Sequence, residues 1–143
     1  MSLRGRAAIV LTALSACARP SHHEPAPAPD AHDLAILDRA DALLAAPGGW
    51  HQHDDRECAD DIASGRLSLF CALQAACVAG VGHHEHRRLA LEEVRRAVEE
   101  ATRGRDLQHR LMDFNNLPET RFADVKAVLA TARARLVARK RRD

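Results

Sequence analysis

The sequence predicts an all-α protein: a small antiparallel bundle of about four main helices, with one or two short ones, behind an N-terminal stretch of different character. Three observations predict it. Ala, Leu, Arg and Glu dominate, and all are strong helix formers. Aromatic residues are scarce (Trp50, Phe70, Phe114 and Phe122, with no tyrosine), which disfavours a β fold rich in aromatic and β-branched side chains. Apolar residues recur at three- and four-residue intervals through most of the chain beyond Asp33. At 143 residues, with 46% hydrophobic and 29% charged, one globular domain is expected.

Arg4 and Arg6 precede "AAIVLTALSA", Ala7 to Ala16. This apolar run is too short for a membrane-spanning helix, which needs about 20 residues. It has the length and flanks of a secretory leader. It ends in Leu14-Ser15-Ala16-Cys17. That ending resembles the lipobox of bacterial lipoproteins: a leucine, two small residues, then a cysteine. The resemblance covers Met1 to Cys17 and implies cleavage before Cys17, with several acyl chains on that cysteine. One chain binds a membrane marginally, whereas two or more anchor stably. The expected division is therefore 1–16 as leader, 17–32 as lipidated cysteine and linker, and 33–143 as helical domain. Ala18 rather than Asp after the cysteine favours the outer membrane over the inner one. The rival readings are an ordinary leader cut at a nearby alanine, or a buried thiol. No family is recognised in the rest of the chain.

The linker "ARPSHHEPAPAPDAHD", Ala18 to Asp33, holds four of the six prolines. Alternating Ala-Pro favours an extended, semi-rigid spacer. Asp33 can then cap a helix carrying Leu34, Leu37, Ala40 and Leu44 on one face. "PGGW" ends it, and "HQHDDRE" reads as a polar loop. A short helix holds Cys58 and Ile62 and stops at Ser64-Gly65. "LSLFCALQAACVAGVG", Leu67 to Gly82, carries no charge and is apolar all round, which predicts the central buried helix. His84 to Gly104 is amphipathic, with a stripe of Ala90, Leu91, Val94, Ala97, Val98 and Ala101. A short helix follows, then an expected loop around Asp113, Asn115, Asn116 and Pro118. The last helix starts near Glu119, with Phe122, Val125, Leu129, Ala132 and Leu136 as its seam.

With Cys17 acylated, Cys58, Cys71 and Cys77 remain. Cys71 and Cys77 lie about 9 Å apart along one helix and cannot bond each other. A hairpin at Ser64-Gly65 brings Cys58 level with Cys71, so that pair is the first disulfide candidate. Cys58–Cys77 is the second, and three buried thiols the alternative.

Of nine histidines, seven cluster as His22-His23, His51-x-His53 and His83-His84-x-His86. His51, His53, His83 and His86 are the candidate ligands for Zn or Cu, although no standard spacing is met and "HEHRR" departs from HExxH. Asp113, Asn115 and Asn116 are the candidate ligand loop, with turn and cap formation as the bland account. The basic end, Arg133 to Arg142, complements a helix dipole or contacts anionic lipid. There is no nucleophile elbow, P-loop or dinucleotide fingerprint, so no catalytic residue is assigned. The charge is near balance, 21 basic against 20 acidic, which gives no reason to expect nucleic acid. The expected function is a membrane-anchored, non-enzymatic binding module of the cell envelope. Its partner would be an envelope protein or polymer, and no cofactor is required. The alternative is a transition-metal-binding lipoprotein.

Overall fold

A computed structural model describes residues 28–103 and 105–142; Cys17, the leader and most of the linker lie outside them. The described chain is all-α. Four longer helices, α1 (Ala31–Leu43), α3 (Leu69–Val81), α4 (Leu89–Ala101) and α6 (Phe122–Lys140), form the bundle. Two short ones, α2 (Cys58–Ser64) and α5 (Arg110–Asn116), close one side. A 3-10 turn at Pro47–Gly49 follows α1 and leads to a single bridge between Trp50 and Leu67.

α6 packs antiparallel to α1. Lys126, early in α6, donates to the carbonyls of Asp41 and Leu44 at the end of α1. Arg133, further along, pairs with Asp38 at 2.5 Å. α4 and α6 share the largest helix–helix contact, and α1 with α3 the next. Between these helices lie Ile36, Leu37, Leu73, Leu91, Val94, Leu129 and Leu136, all buried. Each such burial contributes roughly 1.5–3 kcal/mol.

α1 starts earlier than the sequence suggests. Asp30 is its cap: the Asp30 carboxylate accepts from Asp33 N, and Asp33 returns the bond to Asp30 N, both at 3.0 Å. Asp33 is buried because Arg88 Nε and the Ala90 amide donate to its Oδ1, each at 3.1 Å. Burial alone would raise the Asp30 pKa. The Arg88 hydrogen bond and charge, with the Asp33 and His32 amides, outweigh it and hold the value below normal.

α3 is not buried all round. Leu69, Cys71, Ala72, Leu73, Ala76 and Cys77 are buried, but Phe70 and Gln74 are half-buried, Val78 is exposed and Gly80 lies at the surface beside Ile36. Gly82, in the left-handed region at φ 86°, ends the helix. α4 begins at Leu89 rather than His84, so the histidine cluster forms a turn before it. Its inner face includes Glu93, buried between the guanidinium groups of Arg96 and Arg139 at 2.9 and 3.0 Å; the expected stripe residue Ala101 is exposed. α6 begins at Phe122, three residues after Glu119. Among the described residues, no helix is long and apolar enough to cross a membrane.

Candidate functional site

α5 organises one side of the molecule. Asn115 is fully buried. Its Oδ1 accepts from Trp50 Nε1 at 2.9 Å and from the Leu69 amide at 3.0 Å. Its Nδ2 donates to the carbonyls of His51 and Gln52 at 3.0 and 2.9 Å. One side chain thus ties α5 to the segment after the 3-10 turn and to the first turn of α3. Asn116 extends the clasp: its Oδ1 accepts from Asp54 N and its Nδ2 donates to Asp54 O. Asp54 is buried in turn, with Oδ1 accepting from Arg56 N at 2.8 Å and Oδ2 without a partner. Burial pushes the Asp54 pKa up, against the Ser68 hydroxyl and the Arg56 amide, with Asp61 and Asp55 adding repulsion.

That turn throws Arg56 to φ 68°, the one non-glycine residue at positive φ among those described. Such a conformation is uncommon outside Asn, Asp and Gly, and persists where the surroundings hold it. The Arg56 side chain faces a cleft of about 560 Å³. α3 supplies Phe70 and Gln74, the following turn His84 and His86, α4 Glu92 and Arg95, and the start of α5 His109, Arg110, Leu111 and Met112. The His84 ring stands edge-on to Phe70, with centroids 5.8 Å apart. His84 Nε2 lies 3.2 Å from His86 Nδ1, and Arg95 donates to the His86 carbonyl at 2.7 Å and to Glu92. Arg56 Nη1 is 3.5 Å from His109 Nδ1. Burial first, then the charges of His86 and Arg95, hold the His84 pKa below its usual value. The cleft therefore combines a small apolar wall with three guanidinium groups, three imidazoles and one carboxylate. Of the three guanidinium groups, Arg95 pairs with Glu92 at 2.7 Å and Arg110 with Glu99 at 3.0 Å.

The residues singled out from sequence have separate fates. Cys58 and Cys71 form a disulfide with Cα atoms 5.2 Å apart, beside the Gly65 turn, and Cys77 is a buried free thiol. Cys77 Sγ donates to the His83 carbonyl. His51 and His53 rings touch edge-to-face at 5.8 Å, and His51 Nδ1 sits 3.5 Å from Asp61 Oδ1. His83 is exposed, and only His86 of the four enters the cleft. Among the described residues, no group of three or more His, Cys, Asp or Glu is placed to hold a metal ion. Asp113, Asn115 and Asn116 are not a loop; they lie in α5. Asp113 accepts from His109 N at 2.8 Å, and Asn115 has spent its hydrogen-bonding capacity on the scaffold. The cleft residues Arg56, Arg95 and His109 were not legible as a group, because three separate segments bring them together.

Compared with curated proteins and with solved structures, the chain finds no match. The profile of a family of unknown function, DUF6197, matches residues 28–135, a stretch that contains every residue lining the cleft. The chain belongs to that family, which corrects the expectation that the body beyond Cys17 has no recognisable family.

Proposed function

We propose that this DUF6197 protein is a lipid-tethered, non-enzymatic binding module of the bacterial cell envelope, and that the cleft between α3, α4 and α5 is its ligand site. The cleft carries the reading: Arg56, Arg95 and Arg110 surround His84, His86 and His109, and the cations still outnumber the two carboxylates that bond them, Glu92 on Arg95 and Glu99 on Arg110. The ligand is an anionic group displayed by an envelope protein or polymer, and Phe70, Leu111 and Met112 favour one joined to an apolar body. The same guanidinium groups repel a dication, which speaks against a transition metal at the His84–His86 pair. The Leu14-Ser15-Ala16-Cys17 sequence and the Ala-Pro spacer support a tether, with the outer membrane favoured by Ala18.

The test is a titration with benzoate and phenyl phosphate, followed by the imidazole resonances. A bound anion opposes the burial and the charge that hold the His84 pKa down, so binding takes up a proton and tightens as pH falls. Arg95→Ala and His109→Ala should each weaken binding about tenfold. No shift at probe concentrations up to about 10 mM would exclude the anion site. Mass spectrometry of the mature protein checks the tether separately: an unmodified Cys17 or an intact Met1 would remove it.

A further inference from the structure

The start of α1 and the end of α6 lie at one end of the bundle. Arg133 pairs with Asp38. Lys140 is seven residues beyond the first and Ala31 seven before the second, so both ends rise by about 10 Å and come level. α4 enters at the same end, because Arg88 and the Ala90 amide bond Asp33, and Arg139 reaches Glu93 one turn into α4. The end of the molecule that leads back toward Cys17 is therefore also where α6 finishes.

Its charge is one-sided. Among the described residues, the acids at this end, Asp30, Asp33 and Glu85, all bond Arg88. Arg87, Lys140, Arg141 and Arg142 are exposed and make no ion pair among the described residues. Elsewhere on α6, by contrast, Lys126, Arg133 and Arg135 each face an acid of α1 or α4. Four cations with no ion pair among the described residues, gathered at this end, exceed what the dipole of a single helix C-terminus requires.

We infer that this end is a membrane-docking surface: Arg87, Lys140, Arg141 and Arg142 seat the bundle, end-on, on an anionic phospholipid bilayer. The inference rests on the tether reading for its biological orientation, but its chemistry stands without the acyl chains. Each cation at an anionic surface raises partition roughly fivefold, and the gain is screened by salt.

The test uses the full chain carrying Cys17→Ser, which removes acylation. Co-sedimentation is compared on vesicles of phosphatidylcholine alone and with about one third phosphatidylglycerol. The N-terminal apolar stretch contributes to both, and Arg4 and Arg6 are replaced by alanine in every protein compared, so the difference between the two lipids reads the cations of the bundle. Anionic lipid should raise partition by roughly several hundredfold at low salt, and Lys140→Glu/Arg141→Glu/Arg142→Glu should abolish the gain. Arg87→Glu, in a turn outside the helices, should reduce it severalfold, and far-ultraviolet circular dichroism verifies that each variant is folded. Equal partition on both lipids, or a gain that survives the triple reversal, overturns the docking surface. Failure of the tether is read independently, from the mass of wild-type Cys17.

Discussion

Asn115→Ala should be among the most damaging single substitutions in the protein. It removes an acceptor from two donors and a donor from two carbonyls. The Leu69 amide is fully buried and belongs to the first turn of α3, where no intrahelical partner exists. Leaving it unpaired costs about 1–3 kcal/mol. Trp50, His51 and Gln52 are half-buried, so their released groups can recover water and cost roughly 0.5–1 kcal/mol each. The expected loss is about 3–5 kcal/mol, a third or more of the stability of a typical domain. Urea denaturation followed by circular dichroism measures it. Trp50, the sole tryptophan, reports the same site by emission, which should shift to the red before the helices melt. Asn115→Asp should be no better than alanine at neutral pH, because its second oxygen would face the His51 and Gln52 carbonyls. A double-mutant cycle with Trp50→Phe should return a coupling of about 1 kcal/mol. A loss below about 1 kcal/mol for Asn115→Ala would refute the clasp as the element that joins α5 to α3.

Two further outcomes follow from buried groups. Asp54 has its folded pKa raised above the ordinary aspartate value of 3.8, so its favourable contribution is present below that value and lost as pH rises through the folded one. Asp54→Asn should therefore stabilise at neutral pH and do little below pH 3.8; urea midpoints that shift equally at both would contradict this. The Cys58–Cys71 bridge closes a separation of 13 residues, which corresponds to about 3 kcal/mol by chain entropy. Reduction should lower the melting temperature by about 10 °C or more, and in the unfolded, unreduced protein only Cys77 of the three should react with a thiol reagent. Three reactive thiols would show that the bridge does not form.

Local signals were readable and long-range ones were not. The three-four spacing placed α1, α4 and α6, an uncharged apolar run placed α3, and the Ser64-Gly65 turn made Cys58–Cys71 the first pair to consider, because these features act within a few residues. The α1 cap was displaced by three residues since Asp30 and Asp33 are both competent caps. What separates them is Arg88, 55 residues from Asp33, which draws Asp33 inward as the third helical residue. "MDFNN" reads as a loop because Asp and Asn favour turns and a proline follows. It is helical because Asn115 and Asn116 bond the 50–54 segment, 62 to 65 residues away, and tertiary bonding overrides propensity. "HHEH" stood out as a cluster, but its cleft partners Arg56, Arg95 and His109 were isolated residues in unrelated segments.

The same helix that stabilises the protein also shapes its cleft. α5 opens with His109, whose amide is held by Asp113 and whose ring meets Arg56, and it closes with Asn115 and Asn116, which hold the turn that sets Arg56. Both sides of that contact hang from one seven-residue helix. Loosening the far end of α5 therefore releases Arg56 from its left-handed backbone conformation and from the cleft wall. On this reasoning Asn116→Ala, which leaves Asn115 in place, should weaken anion binding more than it weakens folding. Its affinity loss should approach that of an Arg56→Ala protein, with helicity unchanged. An Asn116→Ala protein that loses stability but binds the probe anions as wild type does would break the link between clasp and cleft.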